Sequence, residues 1–157
     1  MANLPVSMST FEYQDVTHQL VQQFLGELGE MLEDLRSGAL TLPQKNVLRK
    51  IVSFFDIEMK KHHLEEERHV FPVLLAKGDE ALSQKVAVLQ AEHQQLREGW
   101  AELRAAIEHM ASTPAGDASV LLGSFARYSE CFARHLALEE SIQFAHEGTQ
   151  AFGAWAS

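Results

Sequence analysis

The sequence has a single cysteine, Cys131, so no internal disulfide can form, which agrees with a reducing, cytoplasmic setting. It has no basic surplus. Thirteen Lys and Arg stand against 22 Asp and Glu, a formal net charge of −9, which excludes a general binder of nucleic-acid backbones. No run of 18 or more apolar residues occurs, so no membrane span is expected. The opening residues Met1 to Ser7 lack a basic region followed by an apolar one, so no signal peptide is expected. Proline is scarce, at four residues, and falls with most glycines at the ends of segments. There is no sustained two-residue alternation and no hairpin dipeptide, which excludes a sheet. What remains is a chain of 157 residues that is 46% hydrophobic, enough to bury a core as a single domain over 1–157.

The hydrophobic pattern has a helical period and predicts helices at about 10–37, 42–76, 79–111 and 117–147. Ser9 or Thr10 caps the first helix and Gly38 ends it. Pro43 fits the first turn of the second, and Pro72 is expected to break or kink it. The third opens near Asp79. A loop at Ser112 to Gly116 precedes the fourth, which Asp117 or Ser119 caps. Four amphipathic helices with short links predict an all-α, up-down-up-down four-helix bundle.

The stretch His62-His-Leu-Glu-Glu66-Glu-Arg-His-Val-Phe71-Pro72 stands out. The inward stripe of the second helix reads Leu48, Val52, Phe55, Met59, His62, Glu66, then His69 or Val70, then Val73. It passes from hydrocarbon to imidazole and carboxylate without changing face. The fourth helix repeats it: Leu121, Phe125, Tyr128, Phe132, His135, Glu139, Ile142. His62 and His135, Glu66 and Glu139, Phe71 and Phe144 are each 73 positions apart, the mark of a duplicated helix hairpin. The first stripe (Phe11, His18, Val21, Leu25, Leu28, Leu32, Leu35) and the third (Leu82 to Met110) are each interrupted by one histidine, His18 and His93.

A His and a Glu one turn apart on a buried face are costly unless something pairs with them, and a metal ion would do so. The candidate ligands are His18, His62, Glu66, His93, His135 and Glu139. Mixed nitrogen and oxygen donors suit iron, manganese or zinc better than calcium or copper(I). Two carboxylates facing across a core could bridge two ions, with two imidazoles on each.

The pattern His … His-x-x-x-Glu-Glu-x-x-x-Phe-Pro … His … His-x-x-x-Glu resembles the hemerythrin-like, HHE cation-binding family over roughly Phe11 to Glu147. The resemblance implies a four-helix bundle holding two non-haem iron ions, oxo- or hydroxo-bridged, on those six residues. It implies O2 binding or sensing, iron handling, or responses to peroxide or nitric oxide. Oxygen-carrying hemerythrins have a second histidine one turn after the third-helix one, where this chain has Arg97, and their last motif is HxxxxD rather than HxxxE. A position left open in this way favours exogenous reactants such as peroxide.

Other residues carry weaker expectations. His63 and Glu67 define a competing register whose face includes Asp56 and Lys60 and reads as solvated. His69 reads as a partly exposed histidine at a helix end. Tyr128 either reaches the bound group or its carboxylates with its hydroxyl, or is a core aromatic. Arg97 pairs with Glu66 or Glu139, or points to solvent. Asp15 stands three residues before His18 and could orient its ring. Cys131 reads as a core thiol, His109 and His146 as surface residues, and the tail from Gly148, with Phe152 and Trp155, either folds back or frays.

The function expected is binding of O2 or a related small oxidant for sensing, storage or stress defence, without nucleic acid or membrane and with a separate protein partner carrying any signal. Two alternatives stand beside it: an enzyme that decomposes peroxide or nitric oxide, and an iron-sensing module read by a partner.

Overall fold

The computed structural model describes residues 10–113 and 117–149, with side chains described from 16 to 142 within those ranges. Asp15, Phe11, Phe144, His146 and the tail with Phe152 and Trp155 lie outside the described side chains, as does the Pro114–Gly116 part of the third link.

The ends of the helices follow from the residues that stand there. Helix α1 (Thr10–Ser37) stops at Gly38, whose φ of 73° is a left-handed conformation suited to glycine. Gly38 N–H donates to Leu35 O and Ala39 N–H to Asp34 O, which closes the helix end on its own carbonyls. Helix α2 (42–75) begins with a capping box: Gln44 N–H donates to Thr41 Oγ1, and Thr41 N–H to Gln44 Oε1. Asp79 caps helix α3 (Glu80–Ser112) by accepting from Leu82 N–H. Asp117 accepts from Ser119 N–H at the start of helix α4 (Ser119–Thr149). There are no strands among the described residues. Links this short reverse the direction of each successive helix, giving the up-down-up-down bundle. Among the described residues no helix is long and apolar enough to cross a membrane.

Helix α2 is not a uniform α-helix. It carries two π-helical turns, Phe54–Glu58 and Glu66–Val70, closed by Met59 N–H to Phe54 O and by Phe71 N–H to Glu66 O. Each turn holds one residue more than an α turn and so shifts the inward register. Upstream, Ile51, Phe54 and Phe55 are buried, and the first turn brings Met59 inward where Glu58 would otherwise follow. The second brings Val70, Phe71 and Leu74 inward. This corrects the expected end of the stripe at Val73, which is 54% exposed; of His69 and Val70 it is Val70 that turns inward, and His69 is exposed. Pro72, expected to break or kink the helix, stands where the α ladder is interrupted. A proline interrupts an α ladder because it lacks an N–H. Here a π turn directly precedes it, and the helix runs on to Leu75.

The buried residues fall into two clusters. The larger joins Val21, Leu28, Ile51, Phe55, Leu103 and Phe132 with their neighbours. The smaller holds Val70, Phe71, Leu74, Val86, Leu89 and Ile142. Between them, at one level of the bundle, lie the buried polar residues His18, His62, His63, Glu66, His93, His135 and Glu139.

Candidate metal centre

Each helix delivers its polar residues from the same stripe that delivers its core. In α2 the inward positions Met59, His62, His63 and Glu66 follow the i, i+3, i+4, i+7 pattern of a broad buried face. In α4 the matching positions are Phe132, His135, Leu136 and Glu139. Helices α1 and α3 add His18 and His93, which are 4% and 0% exposed.

These side chains form two groups whose potential ligand atoms lie within 4.8 Å of one another: His18, His62 and Glu139 in one, and His63, Glu66, His93 and His135 in the other. The two carboxylates connect them. Glu66 Oε1 lies 3.1 Å from His62 Nε2 and 3.4 Å from His93 Nε2. Glu139 Oε2 lies 2.7 Å from His18 Nε2, and its Oε1 lies 2.6 Å from His135 Nε2. Each glutamate therefore touches one imidazole of each group.

The contacts are close but lack hydrogen-bond geometry. Nε2 of His18, His63, His93 and His135, Oε1 of Glu66 and both oxygens of Glu139 are buried without a hydrogen-bond partner. Leaving one such atom unsatisfied costs about 1–3 kcal/mol, and more if it is charged. Seven at one level of one core is a donor set in need of an acceptor. Divalent cations that take mixed nitrogen and oxygen donors fit it.

The far sides of two rings are held. His93 Nδ1 lies 3.0 Å from Glu67 Oε1, and His135 Nδ1 lies 3.0 Å from Glu92 Oε1. An imidazole that donates from Nδ1 to a carboxylate presents a lone pair at Nε2 and is fixed in orientation. Around these rings the packing is apolar. Phe71 stacks on His93 and Phe132 stands edge-on to His135.

Burial decides the protonation states. It pushes His62 down to about 3 and His93 down to about 4, and it holds His63 well below the usual histidine range. All three are neutral at pH 7, the form that binds metal. Burial, reinforced by Glu139, raises Glu66 well above the usual carboxylate range. For Glu139 burial acts upward too, but His135 and His18 outweigh it and hold the group well below that range. Burial lowers His135, and Glu139 and Glu92 more than restore it, so its value is raised.

All six residues read as ligands from sequence lie in these two groups. The seventh, His63, was expected on a solvated face. It is 6% exposed and stacks on His93 with ring centroids 4.0 Å apart. The reason is the width of the inward face, which takes both i+3 and i+4. The duplication carried the signal, since the counterparts of Asp56, Lys60 and His63 at the 73-residue offset are Ser129, Ala133 and Leu136. That second copy has no charge at those positions and an apolar residue in place of His63.

Arg97 pairs with neither Glu66 nor Glu139. Its guanidinium donates to Gln94 Oε1 and lies 4.0 Å from Glu67, the carboxylate on the far side of the His93 ring. Tyr128 is 2% exposed among Phe55, Trp100 and Phe132, and burial raises its phenol well above its usual range. His69 is exposed, 3.8 Å from Glu65, and His109 is exposed as expected. Cys131 is a buried thiol, 3.9 Å from Gln95 Oε1.

The family described as "Hemerythrin HHE cation binding domain" matches residues 9–146 of the chain. An uncharacterized protein of Haemophilus influenzae is 27% identical over 125 residues, covering 80% of this chain and 71% of the relative. No solved structure matches the sequence.

Proposed function

This chain belongs to the hemerythrin HHE cation-binding family, and from that premise we propose that it holds two iron ions and binds O2 or a related small oxidant. The observation that supports this most is the bridging position of the two carboxylates. Glu66 lies against His62 and His93, and Glu139 against His18 and His135, so each carboxylate can serve two ions at once. The imidazoles divide unequally: His18 and His62 on one side, His63, His93 and His135 on the other. The side with two leaves more room for an incoming molecule. A pair of ferrous ions would supply the electrons that such an oxidant takes up.

The residues do the rest. Burial keeps His62, His63 and His93 neutral, Glu67 and Glu92 hold two rings in orientation, and the two apolar clusters above and below restrict water. His63 changes the weight of the alternatives. With four imidazoles, Arg97 would leave a place open and favour peroxide chemistry. A fifth imidazole within the group supplies that place and favours reversible binding. Any signal passes to a separate protein partner.

The test is metal analysis with an absorption spectrum of the same sample, reduced without air and then exposed to O2. About two irons per chain and an oxygen-dependent band that reverses on removal of O2 are expected. Irreversible oxidation would move the reading to decomposition of peroxide or nitric oxide. Zinc alone, or no metal, would overturn the di-iron reading.

A further inference from the structure

A cleft of about 490 Å³ opens between α2 and α3 and reaches His63. Its apolar lining is Phe55, Met59, Leu96, Trp100 and Tyr128, all buried. The other residues that line it are Ala101, Asp56 and three cations, Lys60, Arg97 and Arg104. In a chain of net charge −9, a hollow with three cations and one carboxylate is a local reversal of sign. The carboxylate is also occupied. Asp56 accepts from Trp100 Nε1 at 2.8 Å and from Arg104 Nε at 2.9 Å. Arg104 is engaged in turn with Glu108. Two cations are left to meet a ligand, one from each wall. Lys60 forms no ion pair among the described residues, and Arg97, which donates from Nη2 to Gln94 Oε1, keeps only a long contact of 4.0 Å from Nη1 to Glu67. Both side chains are exposed.

We propose that this cleft binds a small amphipathic monocarboxylate, its head between Lys60 and Arg97 and its apolar tail against Phe55, Met59, Leu96 and Trp100. The volume falls within the ordinary range of small-molecule sites, roughly 300–1,000 Å³, and is far larger than a diatomic needs. The lining sorts by polarity as such a molecule does: hydrocarbon in the floor, positive charge at the mouth. A bound tail would also cover the face of the cleft on which His63 stands. This site does not depend on the metal reading, since neither Lys60 nor Arg97 belongs to the two imidazole groups.

The probe is sodium octanoate, titrated into the full chain by calorimetry, with Trp100 in the cleft wall as a fluorescence reporter. Saturable binding with a Kd below about 1 mM is expected, with octan-1-ol and acetate each at least about tenfold weaker. Replacing both cations, Lys60→Gln with Arg97→Gln, should weaken octanoate by about tenfold or more while helicity stays unchanged. Ala101→Trp, a change at an exposed helical position that fills the cleft, should abolish binding. Octanol binding as tightly as octanoate would overturn the proposal, as would unchanged affinity in these variants or no saturable binding. Metal content measured on the same samples reports on the iron reading separately, so the failure of one is distinguishable from the failure of the other.

Discussion

Burial of an imidazole in the metal-free chain has a stability cost that depends on pH, and His62 is the residue on which to measure it. His62 is 1% exposed, and burial pushes its value down to about 3, further than the carboxylate of Glu139 can restore. In the unfolded chain it titrates near 6.5. Between those values the unfolded chain binds a proton that the folded chain does not, so folding stability falls as the pH falls. At pH 5, about 1.5 units below the unfolded value, the loss from this one group is about 2 kcal/mol relative to neutral pH. His93 and His63 act in the same direction. Glu66 and His135, whose values are raised, act in the opposite one, because the folded chain keeps their protons to higher pH. The total slope is therefore mixed, and a difference isolates the group. Urea unfolding at pH 7 and pH 5, with a chelator present, is to be compared for the parent and His62→Gln. The variant should lose about 2 kcal/mol less than the parent over that interval. Equal losses, or a larger loss in the variant, would show that the imidazole is not held neutral by burial.

Three further outcomes follow from the same geometry. His63→Ala should lower bound iron to the same degree as His93→Ala, whereas the solvated register expected from sequence predicts no effect; elemental analysis decides. Glu67→Gln should weaken metal about 10–100-fold without abolishing it, because it loosens the His93 ring rather than removing a donor, and a chelator competition measures this. Asp56→Ala leaves Trp100 Nε1 and Arg104 without their shared acceptor and should cost about 1–3 kcal/mol, read by urea unfolding with Trp100 fluorescence.

The bundle, the helix ends at Gly38, Asp79 and Asp117 and the level of the polar belt are legible in the sequence, because each rests on local signals. Gly38, Asp79 and Asp117 are chain-local punctuation, and one histidine per stripe sets the level. His63 is harder to see, because the buried face of α2 is wider than one residue. A stripe traced one residue wide takes His62 and excludes its neighbour, although an amphipathic face of α2 admits both i+3 and i+4. Charge at Asp56 and Lys60 makes the face of His63 look solvated. Both residues belong to the cleft, where Asp56 is tied to Trp100 and Arg104, so their polarity reports a second feature and not open solvent. The π turns leave no mark in the hydrophobic period. They become visible only where Leu74 replaces Val73 inward.

Those turns account for what α2 does differently from its duplicate. Helix α4 carries His135, Leu136 and Glu139 through an unbroken α-helix from 119 to 149. Helix α2 carries His62 and His63 on an α segment of seven residues, Met59–Glu65, bracketed by two π turns, and Glu66 opens the second of them. Without the first turn, the face that buries Ile51, Phe54 and Phe55 would bring Glu58 inward next. Without the second, the face would continue to His69 and Val73 and leave Phe71 outside. Phe71 stacks on His93, so losing it would uncover the ring. π turns have poorer hydrogen-bond geometry than α turns and persist where other contacts offset the difference. Asp56, within the first turn, is held to α3 by Trp100 and Arg104. Phe71, at the end of the second, is 1% exposed and belongs to the smaller apolar cluster. The two copies thus keep one pattern, His-x-x-x-Glu, while one of them turns the adjacent buried position from leucine to histidine. That single difference makes the imidazole count three against two, and it makes the two sides of the centre chemically unequal.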